Sequence, residues 1–237
     1  MAAMVGGASV ITFPVLLAVG LPPITATASN LVAVSAGNLL AAMTDRANLP
    51  PLNRAFVGLV AASLVGALIG AVLLLATPTR MFEQLIPLLL GFATILFGFA
   101  GRITQWMRAR AKGRGHGEWR MSVTSVPLIL PISVYGGYFG GGIGFLMLAA
   151  LTAAGLAIRS ANATKNVLAG VMNASAVAIF VFSPQVHWLQ GAIACVGAAL
   201  GGVIGGHMVN RVNQKVLRGA AVAIGVALTI GLFIRAP

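Results

Sequence analysis

The residues with chemical capability stand in short runs within a largely apolar chain. One run is Gly136-Gly137-Tyr138-Phe139-Gly140-Gly141-Gly142-Ile143-Gly144, followed by Ala161-Asn162-Ala163-Thr164-Lys165-Asn166. A related pair stands near the N-terminus, where Gly6-Gly7 is followed by Ala26-Thr27-Ala28-Ser29-Asn30. A glycine break inside a membrane helix frees backbone N–H groups at the start of a half-helix, and the positive end of its dipole attracts anions. Ser, Thr and Asn side chains add neutral donors. The same glycines can also serve close helix packing. Lys165 places a full positive charge about a turn into an otherwise apolar stretch, and an intramembrane ionisable residue is a functional candidate by default. Its other reading is a lysine snorkelling to the interface from near a helix end; the sequence leaves both open. Asn38 and Asn173 lie deeper, where an amide either meets a solute or bonds between helices. The candidate substrate-binding set is Gly6, Gly7, Ser29, Asn30, Asn38, Gly141, Gly142, Thr164, Lys165, Asn166 and Asn173.

Other chemistries lack their residues. The acidic residues Asp45, Glu83 and Glu118 all fall near span ends or in loops. That argues against a cation site or a carboxylate proton relay and favours an anionic solute. His207, beside Gly205-Gly206, could titrate in a proton-coupled cycle but reads first as interfacial; His116 and His187 read as loop residues. The single cysteine, Cys195, excludes a disulfide within the chain and reads as a small packed hydrophobe. No His/Cys/Asp/Glu cluster has metal-ligand spacing, and no nucleophile with a base, P-loop or nucleotide fingerprint is present. Neither catalysis, a cofactor nor ATP-driven pumping is expected.

The elements that must hold these residues follow from composition. Hydrophobic residues make up 59% of the chain and charged residues only 8%, against about a quarter charged in soluble domains. Such a chain cannot cover a globule with a polar surface, so its outer solvent is lipid. The runs from Phe56 to Thr77, Leu85 to Gly101, Asn166 to Ser183 and Ala220 to Ile234 hold no charged side chain. They reach or approach the roughly 20 residues a span requires. The net charge of +12 does not mark a nucleic-acid module, because the basic residues cluster between and at the ends of spans. That placement suits loops facing anionic lipid. Trp106 and Trp119 read as interfacial anchors. Met1 to Gly20 has no basic leading segment and no small-residue cleavage site, so it does not read as a cleaved signal.

The chain repeats itself at an offset of 135 residues. Gly6-Gly7 falls on Gly141-Gly142, Gly20-Leu21 on Gly155-Leu156, Ala26 and Ala28 on Ala161 and Ala163, and Asn38 on Asn173. Residues 1–101 are expected to form a first transmembrane repeat, 102–120 a basic cytoplasmic linker, and 121–237 a second repeat. About twenty residues precede the glycines in the second half and five in the first, so the first repeat is expected to lack its opening helix. With the linker inside, the turns bearing Arg46 and Arg54, and Arg211, Lys215 and Arg218, also lie inside. Met121 to Gly155 must then go out and return, as a helix, a break at Gly140-Gly141-Gly142 and a half-helix. The expected fold is all-α: a polytopic transmembrane bundle of two inverted-topology repeats with glycine-broken half-helices, the arrangement that forms a solute site near the midplane.

The glycine break, Pro14-Val15-Leu16-Leu17 with Gly20-Leu21-Pro22-Pro23, and the paired Ala-x-Ala-Ser-Asn and Ala-x-Ala-Thr-Lys-Asn segments resemble the TauE/SafE family of membrane permeases, the sulfite-exporter-like group. Gly140 to Asn173 is the closest match. The first-half glycine run is shorter than the family's, only Gly6-Gly7 and then Ala8-Ser9. The resemblance implies secondary transport or export of sulfite or organosulfonates across the plasma (inner) membrane of a prokaryote. A small inorganic or organosulfur anion and membrane lipid are the expected partners, nucleic acid is not, and homo-oligomerisation is left open. The rival expectations are an anion channel and a non-transporting membrane accessory subunit.

Overall fold

The computed structural model describes residues 12–13, 16–17, 20–44, 46–112, 126–180, 219, 222–223, 225–227 and 229–231. Every regular element among them is helical: α1 (Pro23–Thr44), a 3-10 turn (Arg46–Asn48), α2 (Arg54–Ala76), α3 (Thr79–Lys112), α4 (Val126–Tyr138), α5 (Ile143–Ala153) and α6 (Ile158–Phe180). By length and composition α2, the Thr79–Leu96 part of α3, and α6 can each cross a membrane. Asn53 caps α2, its side chain accepting from Phe56 N. That bond satisfies one of the donors a helix start leaves open. Helix α3 has 34 residues, about 50 Å of helix. This exceeds the hydrocarbon core of about 30 Å, so the helix carries past Gly101 into the basic stretch. There the Arg102 guanidinium lies 5.4 Å from the centre of the Phe99 ring.

Between Val126 and Ala153 the chain is broken as the glycines suggest. Helix α4 has 13 residues and α5 has 11, about 20 and 17 Å, so neither crosses a bilayer alone. Gly140 and Gly142 hold φ of 77° and 76°, the left-handed region that costs residues with a Cβ roughly 1–2 kcal/mol. Two successive departures from helical geometry stop α4 and let α5 begin on a new axis.

Two buried clusters give the helix directions. One joins Ile24, Ala26, Ala28 and Leu31 at the start of α1 to Leu74 near the end of α2, Phe82 near the start of α3, and Ala176 and Phe180 at the end of α6. The other joins Ala55, Phe56 and Leu59 at the start of α2 to Leu156 and Ala161 at the start of α6, with Leu49 and Ile158 packed against it. Hence α1 and α6 run in opposite senses, and α2 and α6 in the same sense. Ile129 of α4 belongs to the second cluster, Phe139 to the first, and Leu151 of α5 to the second again. The chain thus enters on α4, turns at the glycines and comes back on α5. The exposed residues Arg46, Arg54, Arg102 and Arg159 all adjoin the second cluster.

Small residues set how closely the helices approach. A Cβ placed on Gly70 would lie 2.1 Å from the Val134 carbonyl oxygen, and one on Gly137 2.2 Å from the Ala67 carbonyl oxygen. Helices α2 and α4 therefore touch backbone to backbone, as small residues four apart allow in membranes.

The offset of 135 residues reappears in the backbone. Gly20 and Gly155 have φ of 90° and 107°. Leu21 N bonds to Leu16 O at 3.2 Å and Leu156 N to Leu151 O at 3.1 Å; Ala26 N bonds to Pro22 O and Ala161 N to Ala157 O, both at 2.8 Å. The same glycine turn thus leads into α1 and into α6. Helix α3 also meets the helical residues near the C-terminus in opposing order. A Cβ on Gly91 would lie 3.4 Å from Thr229 Cγ2, and one on Gly225 2.5 Å from Thr94 Oγ1.

Candidate functional site

Helix α1 packs against α6, and the polar segments singled out by sequence lie on these two helices. Both helices are apolar over most of their length, yet Ser29, Asn30, Asn38, Thr164, Lys165, Asn166 and Asn173 are all buried. Lys165 is 1% exposed. A snorkelling lysine keeps its ammonium at the interface; this one is enclosed by protein, so that reading of Lys165 is set aside. Of the acidic residues, none falls within α1 or α6, and Glu83 is exposed.

Buried and part-buried hydroxyls on α1, α5 and α6 fall into two groups. Thr27 Oγ1 donates to Pro23 O at 3.0 Å, Thr152 Oγ1 to Leu148 O at 2.8 Å and Ser175 Oγ to Met172 O at 2.8 Å. That back-bonding is how a helix satisfies a buried hydroxyl by itself. Ser29 Oγ and Thr164 Oγ1, offset from each other by the repeat, do not bond so. Both are fully enclosed and have no hydrogen-bond partner among the described residues. A buried hydroxyl left without a partner costs about 1–3 kcal/mol, and a bound solute is one way to supply that partner.

Asn30 adds a third donor. Thr12 Oγ1 donates to Asn30 Oδ1, which fixes the amide and leaves Nδ2 without a partner among the described residues. An amide held by its oxygen presents only N–H; such a donor, like the hydroxyls of Ser29 and Thr164 and the Lys165 ammonium on the same helix pair, suits an oxyanion.

The glycine break stands beside this group. Leu31, next to Asn30, reaches Gly140: a Cβ there would lie 2.7 Å from Leu31 Cδ2. Met172, next to Asn173, reaches Gly136, where a Cβ would lie 2.3 Å from its Cε. Gly141 and Gly142 pack on Ala93 of α3, their added Cβ atoms falling 3.2 and 3.7 Å from the Ala93 Cβ. The break thus packs closely on α1, α3 and α6, and α5 starts from it. Gly6 and Gly7 lie outside the described residues, as do Cys195, His116, His187, His207 and Trp119.

Three contributors were not singled out from the sequence. Tyr135 donates to the Gly141 carbonyl at 2.7 Å, Thr12 orients Asn30, and Thr94 is a buried hydroxyl with no partner among the described residues, next to Ala93 and the break. Tyr135 had a local signal, a polar tip one residue before Gly136-Gly137. Thr12 and Thr94 act across distances that no local pattern encodes. Among the described residues no three His, Cys, Asp or Glu side chains gather.

A family model described as sulfite exporter TauE/SafE matches residues 1–232. The chain is similar to a "Probable membrane transporter protein ORF9" of Sinorhizobium sp, 28% identical over 233 residues, which cover 96% of this chain and 85% of that one. It is also similar to a "Probable membrane transporter protein" of Haemophilus influenzae, 25% identical over 96% of this chain and 87% of that one. The "Probable membrane transporter protein YfcA" of Escherichia coli K12 is 26% identical over 96% and 82%. No solved structure matches.

Proposed function

Because the chain belongs to the sulfite exporter TauE/SafE family of membrane transporters, we propose that it carries a small oxyanion, sulfite or an organosulfonate, across the plasma membrane of a prokaryote by secondary transport. One observation carries the reading: Ser29 Oγ, Asn30 Nδ2 and Thr164 Oγ1 are buried donors without partners among the described residues, on the same helix pair as the enclosed Lys165. The oxygens of a sulfite or sulfonate group accept from donors of this kind, and charge-assisted bonds are the strong ones. The end bearing Arg46, Arg54, Arg102 and Arg159 faces the cytoplasm, by the bias of basic residues to that side.

The matching turns at Gly20 and Gly155, the opposed run of α1 and α6, and the opposed contacts of Gly91 with Thr229 and Gly225 with Thr94 support two repeats of inverted topology. In that arrangement one repeat rocks against the other about a site between them. Uptake of labelled sulfite and sulfoacetate into liposomes holding the purified protein tests the proposal. The expected result is saturable uptake accelerated by the same anion trapped inside. Flux that never saturates would make the protein a channel, and no flux, with no anion shifting its thermal stability, would make it an accessory subunit.

A further inference from the structure

The donors on α1 and α6 do not lie at one depth. The helices run in opposite senses; Met172 is fixed against Gly136 in the last turn of α4, and Leu31 against Gly140 in the break just beyond it. Their chain neighbours Asn30 and Asn173 therefore lie within about a turn of each other in depth, beside the glycine break. Asn38 lies eight residues after Asn30, and Lys165 eight before Asn173. At 1.5 Å per residue both are displaced by about 12 Å in the same direction, because the helices are opposed. Asn38 and Lys165 thus share a second level, toward the basic end. The ends of the helices agree. Asn30 is about two turns from Pro23 and Asn173 about two turns from Phe180, while Lys165 is about two turns from Ile158.

Side chains on a helix lean toward its N-terminus. The Lys165 side chain leans toward Ile158 and the Asn30 side chain toward Pro23, away from each other. A hydrogen bond reaches about 3 Å, so a sulfite-sized anion cannot hold both groups at once.

We infer that the anion path has two stations about 12 Å apart: a charged one at Lys165, Thr164 and Asn38 toward the basic end, and an uncharged one at Asn30, Ser29 and Asn173 beside the glycine break. Each has a buried hydroxyl without a partner among the described residues, Thr164 Oγ1 in one and Ser29 Oγ in the other. The offset of 135 residues places Asn30 and Lys165 at equivalent positions. The two stations are then the same site built twice, with the cation in one copy only. An anion held by an ammonium leaves slowly; a neutral second station gives it an onward step without a second charge. This inference rests on the transport reading and adds where the charge sits.

A charge-relocation series tests it. Binding of labelled sulfite is measured on purified full-length protein in micelles for wild type, Lys165→Asn, Asn30→Lys, and the Asn30→Lys/Lys165→Asn double variant. Lys165→Asn should weaken binding about tenfold or more. The double variant should recover affinity to within about threefold of wild type, since a cation at the equivalent position meets the equivalent donors. A folded double variant that binds as weakly as Lys165→Asn overturns the two stations. Wild-type protein that binds no anion sinks the transport reading itself, which is a different result. Should the double variant not fold, oxidative cross-linking in a Cys195→Ser background decides. Asn30→Cys should cross-link to Asn173→Cys but not to Lys165→Cys; cross-linking of Asn30→Cys to Lys165→Cys would put both groups at one level and overturn the inference.

Discussion

The Tyr135 hydroxyl donates to the Gly141 carbonyl at 2.7 Å, tying the helix that enters the glycine break to the peptide at its centre. The ring of the same tyrosine meets Phe92 of α3 edge-on, with centroids 5.7 Å apart. One side chain therefore ties the break to its own helix α4 and to the neighbouring α3. Tyr135→Phe keeps the ring and loses the bond. It should cost about 1 kcal/mol of stability, the ordinary net worth of a hydrogen bond, seen as a small drop in melting temperature. Uptake should fall more than stability does, because the freed carbonyl belongs to the break. Unchanged uptake would make the bond structural only.

Gly142 has φ of 76°, and a Cβ there would lie 3.2 Å from Leu96 Cδ1. Gly142→Ala should therefore cost roughly 1–2 kcal/mol from backbone strain alone. Gly37 is the control, since a Cβ there meets nothing within 4 Å among the described residues. Gly37→Ala should leave stability equal or raise it by up to about 1 kcal/mol, alanine being the better helix former. Thermal unfolding of the two variants side by side distinguishes them; equal melting temperatures would remove the constraint assigned to Gly142.

Gly70 packs on the backbone of α4, where a Cβ would lie 2.1 Å from the Val134 carbonyl oxygen. A backbone atom cannot turn aside as a flexible side chain can. Gly70→Leu should separate α2 from α4 and remove most folded protein from a size-exclusion profile in detergent. A monodisperse Gly70→Leu variant with wild-type melting would contradict the close approach.

The opposed contact of α3 with the C-terminal residues is testable by disulfide formation. Gly91 and Thr229 come close enough that a Cβ on the first would touch Cγ2 of the second at 3.4 Å, within reach of the roughly 3.5–4.5 Å that bridged Cβ atoms require. Gly91→Cys with Thr229→Cys, in a Cys195→Ser background, should cross-link on mild oxidation. Failure to cross-link in folded protein would count against the opposed crossing and the paired repeats built on it.

Lys165→Ala should reduce sulfite uptake about tenfold or more, the loss of one charge-assisted contact. Lys165→Arg keeps the charge on a larger, planar group and should retain a measurable part of that uptake. Full uptake by the alanine variant would remove Lys165 from the path.

Much of this protein is legible in its residues alone. So few charges in so apolar a chain make lipid its outer solvent, and long unbroken apolar runs, rather than short alternating ones, select helices over a closed barrel. The glycine break was equally plain, since glycine is the residue that holds positive φ without strain, as Gly140 and Gly142 do. Sequence also marked Ser29, Asn30, Thr164 and Lys165, because polar side chains stand out in an apolar run. It did not decide between a snorkelling and an enclosed Lys165; that depends on which neighbours surround the side chain, and packing of α6 against α1 and α2 settles it. Nor could it show that Thr12 orients Asn30, or that Thr94 borders the break. Those contacts join distant segments, and only the opposed run of α1 and α6 and the return of the chain at the glycines bring them together.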